Sequence, residues 1–310
     1  MATTAKQSGF LIQSTFGTKG NFELVVPKSG GGLTHYWRNN DAPGFPWSGP
    51  ANFGSGPVTG TCLIQSNFGP GNFEVVAVVG NQLVHYWRDN HSPFGWHGPS
   101  APFATGITGN PTLIQSSFGT KGNFEVVVAH VGGGLSHYWR DNDTPGFPWH
   151  GPNNFGSGNL RGASLIQSNF GPGNLEVVAL TASGQLVHYW RENHSPFTWH
   201  GPSAPFASGV TGNPSLIQST FGTKGNFEVV VARAQGAPGG LEHFWRDNDT
   251  PGFPWHGPNN FGSGGANMVS LIQSNFGPGN LEVDALQGSS KFQYWRENHS
   301  PFTWHGPSPF

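Results

Sequence analysis

Cysteine is almost missing: Cys62 is the only one in 310 residues. An internal disulfide framework is thereby excluded, and a reducing compartment is the expected setting. Charge is scarce too. Asp, Glu, Lys and Arg make up 10% of the chain, the formal net charge is −2, and no run of like charges occurs. Neither a nucleic-acid footprint nor a polybasic membrane patch is indicated. No apolar run approaches the roughly 18–20 residues of a membrane helix. The start, MATTAKQSGFLIQS, has no apolar core of signal-peptide length. The expected location is cytoplasmic, with release by a non-classical route as the alternative, and without membrane insertion or a nucleic-acid partner.

Glycine (48), proline (26) and aromatics (14%) are abundant instead. So much Gly and Pro usually marks disorder. Here the aromatics recur at fixed spacing, which disorder does not explain, so Gly and Pro are read as punctuation between short elements. The string LIQS starts at Leu11, Leu63, Leu113, Leu165, Leu216 and Leu271. A triplet N-[FL]-E follows in register, ending at Glu23, Glu74, Glu125, Glu176, Glu228 and Glu282. Next come [YF]WR and a lone Trp, which together use all 12 tryptophans. Six units of about 50 residues define a repeat architecture.

Within a unit the apolar period is two. LIQSNFG, NLEVVAL, GQLVHYWR and FTWHGP read as four short strands separated by Gly-containing turns. No segment carries a helical stripe. A β-helix needs shorter coils, and separate 50-residue β domains would bury too little surface. The expected fold is all-β: a six-bladed β-propeller with four antiparallel strands per blade. It is read as one domain over 1–310, with blades near 9–58, 59–108, 109–160, 161–211, 212–266 and 267–310. Units 1, 3 and 5 carry FGTKGNFE, and units 3 and 5 carry DNDTPGFPWHGPNNFGSG, slightly degraded in unit 1. Units 2, 4 and 6 carry FGPGN[FL]E and [DE]NHSPF.WHGPS. A double blade is thus repeated three times, giving pseudo-threefold symmetry with two site variants.

The blade grammar GNLEVVAL…GQLVHYWR…W resembles the propeller lectins of bacteria and fungi. Six near-identical blades without a signal peptide look most like the mushroom N-acetylglucosamine-specific propeller lectins, and the likeness runs across the whole chain. It implies sugar sites repeated around the ring, at or between neighbouring blades, with non-reducing terminal N-acetylglucosamine as ligand. Related six-bladed lectins bind fucose, which the resemblance leaves as the alternative. The partners implied are glycans or glycoproteins with terminal N-acetylglucosamine or another neutral sugar, with a homodimer allowed for and no cofactor.

Five recurring positions are candidates for sugar contacts. The third strand ends in an arginine: Arg38, Arg88, Arg140, Arg191, Arg246 and Arg296. An acid follows in five units, as Asp89, Asp141, Glu192, Asp247 and Glu297, with Asn39 in the first. Then comes Asn in all six: Asn40, Asn90, Asn142, Asn193, Asn248 and Asn298. A guanidinium offers forked donors, a carboxylate acceptors and an amide both, a set able to chelate adjacent sugar hydroxyls. The competing reading pairs each Arg with the in-register Glu of N-[FL]-E and makes Asn a turn cap.

The second tryptophan of each unit, Trp47, Trp96, Trp149, Trp199, Trp255 or Trp304, lies in a Pro-framed loop. An indole face held there is what the apolar side of a pyranose needs, and preorganisation limits the entropy lost on binding. The residue after it is His97, His150, His200, His256 or His305, and Ser48 in unit 1. Packing is the rival reading for both. The first tryptophan (Trp37, Trp87, Trp139, Trp190, Trp245 and Trp295) is read as core, since both faces of a blade pack. His35, His85, His137, His188 and His243 are read as satisfied hydrogen-bonding groups, with Gln293 in the sixth place.

Metal chemistry is discounted. DNDTPG lacks the distal Glu of a calcium loop, and HSPFTWH has no third ligand for zinc. An enzyme needs blades that break the pattern. The departures here concern loop length, as in VARAQGAPGGLEHF of unit 5, and the S-x-D-x-G-x-x-W turn of six-bladed sialidases is missing. A protein-interaction propeller remains the other alternative. Such scaffolds diversify their loops, whereas these loops are well repeated, which suits one small ligand bound several times. Arg beside an acid keeps each site near neutral and favours uncharged sugars.

Overall fold

The computed structural model describes residues 6–233 and 240–310. The chain divides into two compact units, Met1–Asn159 and Leu160–Phe310, a boundary that falls at the end of the third repeat. Part of the long loop noted in the fifth repeat, residues 234–239, lies outside the described residues.

The first unit holds three antiparallel meanders. They are β1 (Leu11–Gln13) to β4, with β2 Phe22–Pro27, β3 Leu33–Arg38 and β4 Trp47–Phe53; β5 (Val58–Gln65), β6 (Phe73–Val79), β7 (Gln82–Arg88) and a fourth strand split into β8 (Trp96–His97) and β9 (Ala104–Thr105); and β10 (Thr112–Gln115), β11 (Phe124–Ala129), β12 (Leu135–Arg140) and β13 (Trp149–Phe155). The second unit again holds three meanders, the last two joined edge to edge in one eight-stranded sheet. It contains β14 (Leu160–Gln167), β15 (Leu175–Thr181), β16 (Gln185–Arg191) and the split β17 (Trp199–His200) and β18 (Ala207–Ser208). Then come β19 (Val210–Gln218), β20 (Phe227–Arg233), β21 (Leu241–Arg246) and β22 (Trp255–Phe261). The last meander is β23 (Met268–Gln273), β24 (Leu281–Gln287), β25 (Ser290–Arg296) and β26 (Trp304–Pro309). Among the described residues no helix is long and apolar enough to cross a membrane.

Alternation makes these strands, and burial on both faces explains why the second one reads as near-continuous Val and Ala. In the first unit Ile12, Val25 and Leu33 of one meander pack against Leu63, Phe73 and Tyr86 of the next. Ile64, Val76 and Leu83 pack in turn against Leu113, Phe124 and Val126. The second unit repeats this with Ile166, Val178 and Leu186 against Leu216, Phe227 and Phe244.

Polar stitches join the same surfaces. The Gln of LIQS accepts from the backbone N–H just after the LIQS of the preceding repeat: Gln65 from Thr15 at 2.8 Å, Gln218 from Asn169 at 2.9 Å and Gln273 from Thr220 at 2.8 Å. Its amide nitrogen donates to its own turn, as Gln65 does to Gly71 at 3.0 Å. One glycine of the FGTKG turn is obligatory. Gly222 sits at φ +72°, where a Cβ would strike the Asp249 carboxylate, which accepts from the N–H groups of Thr223 at 2.6 Å and Lys224 at 2.9 Å.

Candidate functional site

The repeated polar letters converge at the junction between consecutive meanders. The Ser of LIQS donates to one carboxylate oxygen of the N-[FL]-E glutamate, and the third-strand histidine takes the other. Ser168 Oγ lies 3.0 Å from Glu176 Oε1, and His188 Nε2 lies 2.8 Å from Glu176 Oε2. Ser219, Glu228 and His243 repeat this at 3.1 and 2.8 Å. All these groups are buried. The histidine Nδ1 faces the arginine of the following repeat: Arg88 Nη1 is 3.4 Å from His35 Nδ1, and Arg296 Nη1 is 3.5 Å from His243 Nδ1.

Burial holds His35 and His243 below the ordinary imidazole range, against the opposing pull of Glu23 and Glu228. A neutral ring then donates Nε2–H to the carboxylate and accepts from the guanidinium at Nδ1. The arginines are pushed down by burial, Arg140 and Arg246 to about 10, against the attraction of Glu74 and Glu176. They remain cationic at neutral pH. The carboxylate that balances Arg88, Arg140, Arg246 or Arg296 thus belongs to the preceding repeat, which corrects the expectation of an Arg–Glu pair within one blade.

Two open pockets lie beside this relay in the second unit. One, of about 310 Å³, is lined by Glu176, His188, Trp190, Asn174 and Phe170 of one meander and by Arg246 and Phe253 of the next. The other, of about 410 Å³, has Glu228, Trp245, Asn226 and Phe221 facing Arg296 and Phe302. Arg246 Cζ lies 4.0 Å from the Phe227 ring centre, 5.5 Å from Phe170 and 5.3 Å from Phe253. Phe253 and Phe302 sit at φ 49° and 57°, and are 41% and 46% exposed. A bulky residue in this left-handed region is strained, a cost that recurs at ligand sites. These phenylalanines carry no motif signal beyond repetition, so the sequence reading passed over them.

The sequence suggested that the first tryptophan is core, but Trp190 is 36% exposed, and Trp190 and Trp245 each line a pocket. In four meanders the third and fourth strands slip register just before this tryptophan, between His243 and Trp245 for example and between Gln293 and Trp295 in the last. A bulge of this kind re-aims the side chain. In the second to fifth repeats the tryptophan stands between two imidazoles. Trp190 stacks 6.0 Å from His188 and 5.1 Å from His200. His97, His150, His256 and His305 lie likewise against Trp87, Trp139, Trp245 and Trp295.

The second tryptophan opens the fourth strand opposite the arginine, as Trp47 does opposite Arg38, Trp199 opposite Arg191 and Trp255 opposite Arg246. It does not present a free indole face from a loop. Trp96, Trp149, Trp255 and Trp304 each lie flat on a phenylalanine of the preceding repeat, Phe53, Phe103, Phe206 and Phe261, at 3.9 Å.

Asparagine is also spent internally. Asn40, Asn142 and Asn248 are fully buried. Asn248 accepts from Arg246 Nε at 2.6 Å and donates to Gly225 at 2.6 Å, so it clamps the arginine rather than facing a ligand. Asn40 and Asn142 do the same for Arg38 and Arg140, and Asn90 accepts from Arg88. Asn193 and Asn298 donate to the carbonyls of Pro172 and Pro278.

The acids after Arg divide by repeat type. Asp141 and Asp247 accept from the hydroxyls of Thr144 and Thr250 and from the backbone of their own DNDTPG turn, which holds both below the usual carboxylate range. Asp89 pairs with His97 at 2.9 Å, Glu192 with His200 at 3.6 Å and Glu297 with His305 at 3.4 Å. Among the described residues no group of three His, Cys, Asp or Glu could hold a metal ion.

No family model and no curated protein matches the chain. Solved structures do. The BP39L lectin of Burkholderia pseudomallei matches at 22% identity and a TM-score of 0.65, covering 98% of this chain and 85% of that one. A mutant of the Aleuria aurantia lectin in complex with Fucα1-6GlcNAc matches at 16% and 0.68, covering 98% and 96%; that lectin is described as fucose-specific. An α-L-arabinanase of Penicillium chrysogenum complexed with arabinobiose matches at 12% and 0.53, covering 92% and 94%. At these identities the likeness is one of fold, and the chain has the all-β architecture of the propeller lectins.

Proposed function

We propose that the chain is a multivalent lectin that binds neutral sugars in repeated pockets between successive meanders, the six repeats serving as six blades of one propeller. The observation that carries this reading is the composition of the pocket at Glu176, His188, Trp190, Arg246 and Phe253. One wall offers a carboxylate acceptor and a guanidinium donor whose charges cancel. The other is aromatic. Sugar hydroxyls need the first, and an apolar C–H face needs the second. A charged ligand would leave one member of the pair without its counter-ion.

Fucose is the leading ligand. Its methyl group suits the wall formed by Phe170, Phe253 and Trp190, and the lectins of like fold include one described as fucose-specific. N-acetylglucosamine, whose acetamido methyl meets the same wall, is the second reading. A protein-interaction scaffold is disfavoured because the pocket residues recur from repeat to repeat, and catalysis because the pockets repeat rather than one standing apart.

A glycan array followed by crystal soaks tests the proposal. Fucosylated glycans should be retained, and methyl α-L-fucoside should occupy the Arg246 and Arg296 pockets. A chain that retains no neutral glycan, with both pockets empty in the soaked crystals, is not a lectin of this kind.

A further inference from the structure

Three departures from the repeat meet at one place in the second unit. Glu242 stands where the other repeats carry Thr34, Val84, Ser136, Val187 and Phe292. Phe244 replaces the tyrosine of the other five. Arg233 stands where they have Lys28, Val79, His130, Thr181 and Gln287. In the first and third repeats the small hydroxyl donates to a fourth-strand asparagine, Thr34 to Asn52 at 2.9 Å and Ser136 to Asn154 at 2.7 Å. Glu242 keeps that register opposite Asn260, but an ionised carboxylate has no proton to give. It lies instead against Arg233, Oε1 to Nε 2.9 Å, with its side chain only 3% exposed.

Its second oxygen is the anomaly. Oε2 is buried, and among the described residues nothing hydrogen-bonds it. Buried carboxylate oxygens are seldom left without a donor, and the same substitution costs nothing to avoid, since valine stands there in two repeats. The residue lines a cleft of about 510 Å³ between two meanders, walled by Phe206, Phe244, Pro205 and Pro258 with Gln185 and Ser208 at its polar side. This volume is within the range of small-molecule sites. Burial raises the Glu242 carboxyl and Arg233 pulls it back down, so the pair as a whole brings no net charge. A ligand must therefore supply a neutral donor, accept from a guanidinium or amide, and lay an apolar face on proline and phenylalanine.

We propose that this cleft is a singular second binding site for a neutral saccharide unit, one hydroxyl of which donates to Glu242 Oε2. It uses the opening end of β21, whereas the repeated pockets use the closing end at Trp245 and Arg246. It does not depend on them.

Crystals of the full chain soaked separately in methyl α-L-fucoside and N-acetylglucosamine test it, beside crystals of Glu242→Val. Valine at this position is already accommodated by two repeats, so the variant folds. The expected result is ligand density with a hydroxyl on Oε2 in the parent and none there in Glu242→Val. Titration calorimetry should likewise give one site fewer for the variant. A cleft empty in both soaks of the parent overturns the inference, as does equal occupancy in Glu242→Val. Density at Arg246 and Arg296 is scored separately, so the repeated pockets stand or fall without it.

Discussion

Replacing Trp190 by alanine should weaken sugar binding at one pocket and leave the fold in place. The indole is 36% exposed and stacks between His188 and His200. Stacking of this kind contributes about 1 kcal/mol beyond area burial, so the pocket should lose about fivefold in affinity, read by site-resolved titration. Trp255→Ala should behave oppositely. Its ring lies flat on Phe206 at 3.9 Å and packs on the apolar cluster of Ile166, Leu216 and Phe227. Large-to-small changes in such surroundings cost about 3 kcal/mol, which chemical denaturation would register as a lowered midpoint; an unchanged midpoint would place the indole outside the packed layer. Repetition in the sequence showed that both tryptophans matter. It put the first in the core because both faces of a blade were expected to pack, and the second in an open loop because the Pro-framed segment that opens the fourth strand was taken for one.

At the scale of the element, the LIQS strand, the N-[FL]-E strand and the HYWR strand are tied at one carboxylate, the Glu accepting from Ser on one side and from His on the other. The strands were legible from their period of two and their Gly turns. The relay was not, since its members lie far apart in sequence and its arginine comes from the next repeat. The relay also sets a pH dependence. Burial depresses His35 and His243 in the folded chain, so between the unfolded value of about 6.5 and the lower folded one the unfolded chain binds protons that the folded chain refuses. The contribution is fully present above about pH 6.5 and is lost as pH falls through the folded values. Melting temperature should therefore hold between about pH 8 and 7 and decline towards about pH 5. His243→Gln, which copies Gln293 of the last repeat, should fold and flatten part of that decline. A variant that declines as steeply as the parent would remove His243 from the linkage.

Over the whole molecule the decisive quantity is the number of equivalent pockets. Repeats make it countable from sequence, but not the address of each site: an Arg, a Glu and a Trp in every unit look like one cradle per blade until the Arg is found to face the preceding unit. Four junctions within the two compact units carry that facing pair, with Arg88 near Glu23, Arg140 near Glu74, Arg246 near Glu176 and Arg296 near Glu228. Titration with a monovalent sugar should accordingly give a stoichiometry of four or more. Arg246→Ala with Arg296→Ala should reduce it by two while the remaining sites keep their affinity, because each pocket draws its polar wall from one junction only. On a clustered glycan the response should be far larger than the fraction of sites lost. Linked sites multiply binding through effective concentration, so avidity exceeds single-site affinity by about 10²-fold or more and falls steeply when neighbouring sites go. Surface-bound glycan at high and low density separates the two quantities. If the double variant lost the same factor at both densities, the pockets would act singly, and the repetition of the chain would have to be explained by folding rather than by multivalent binding.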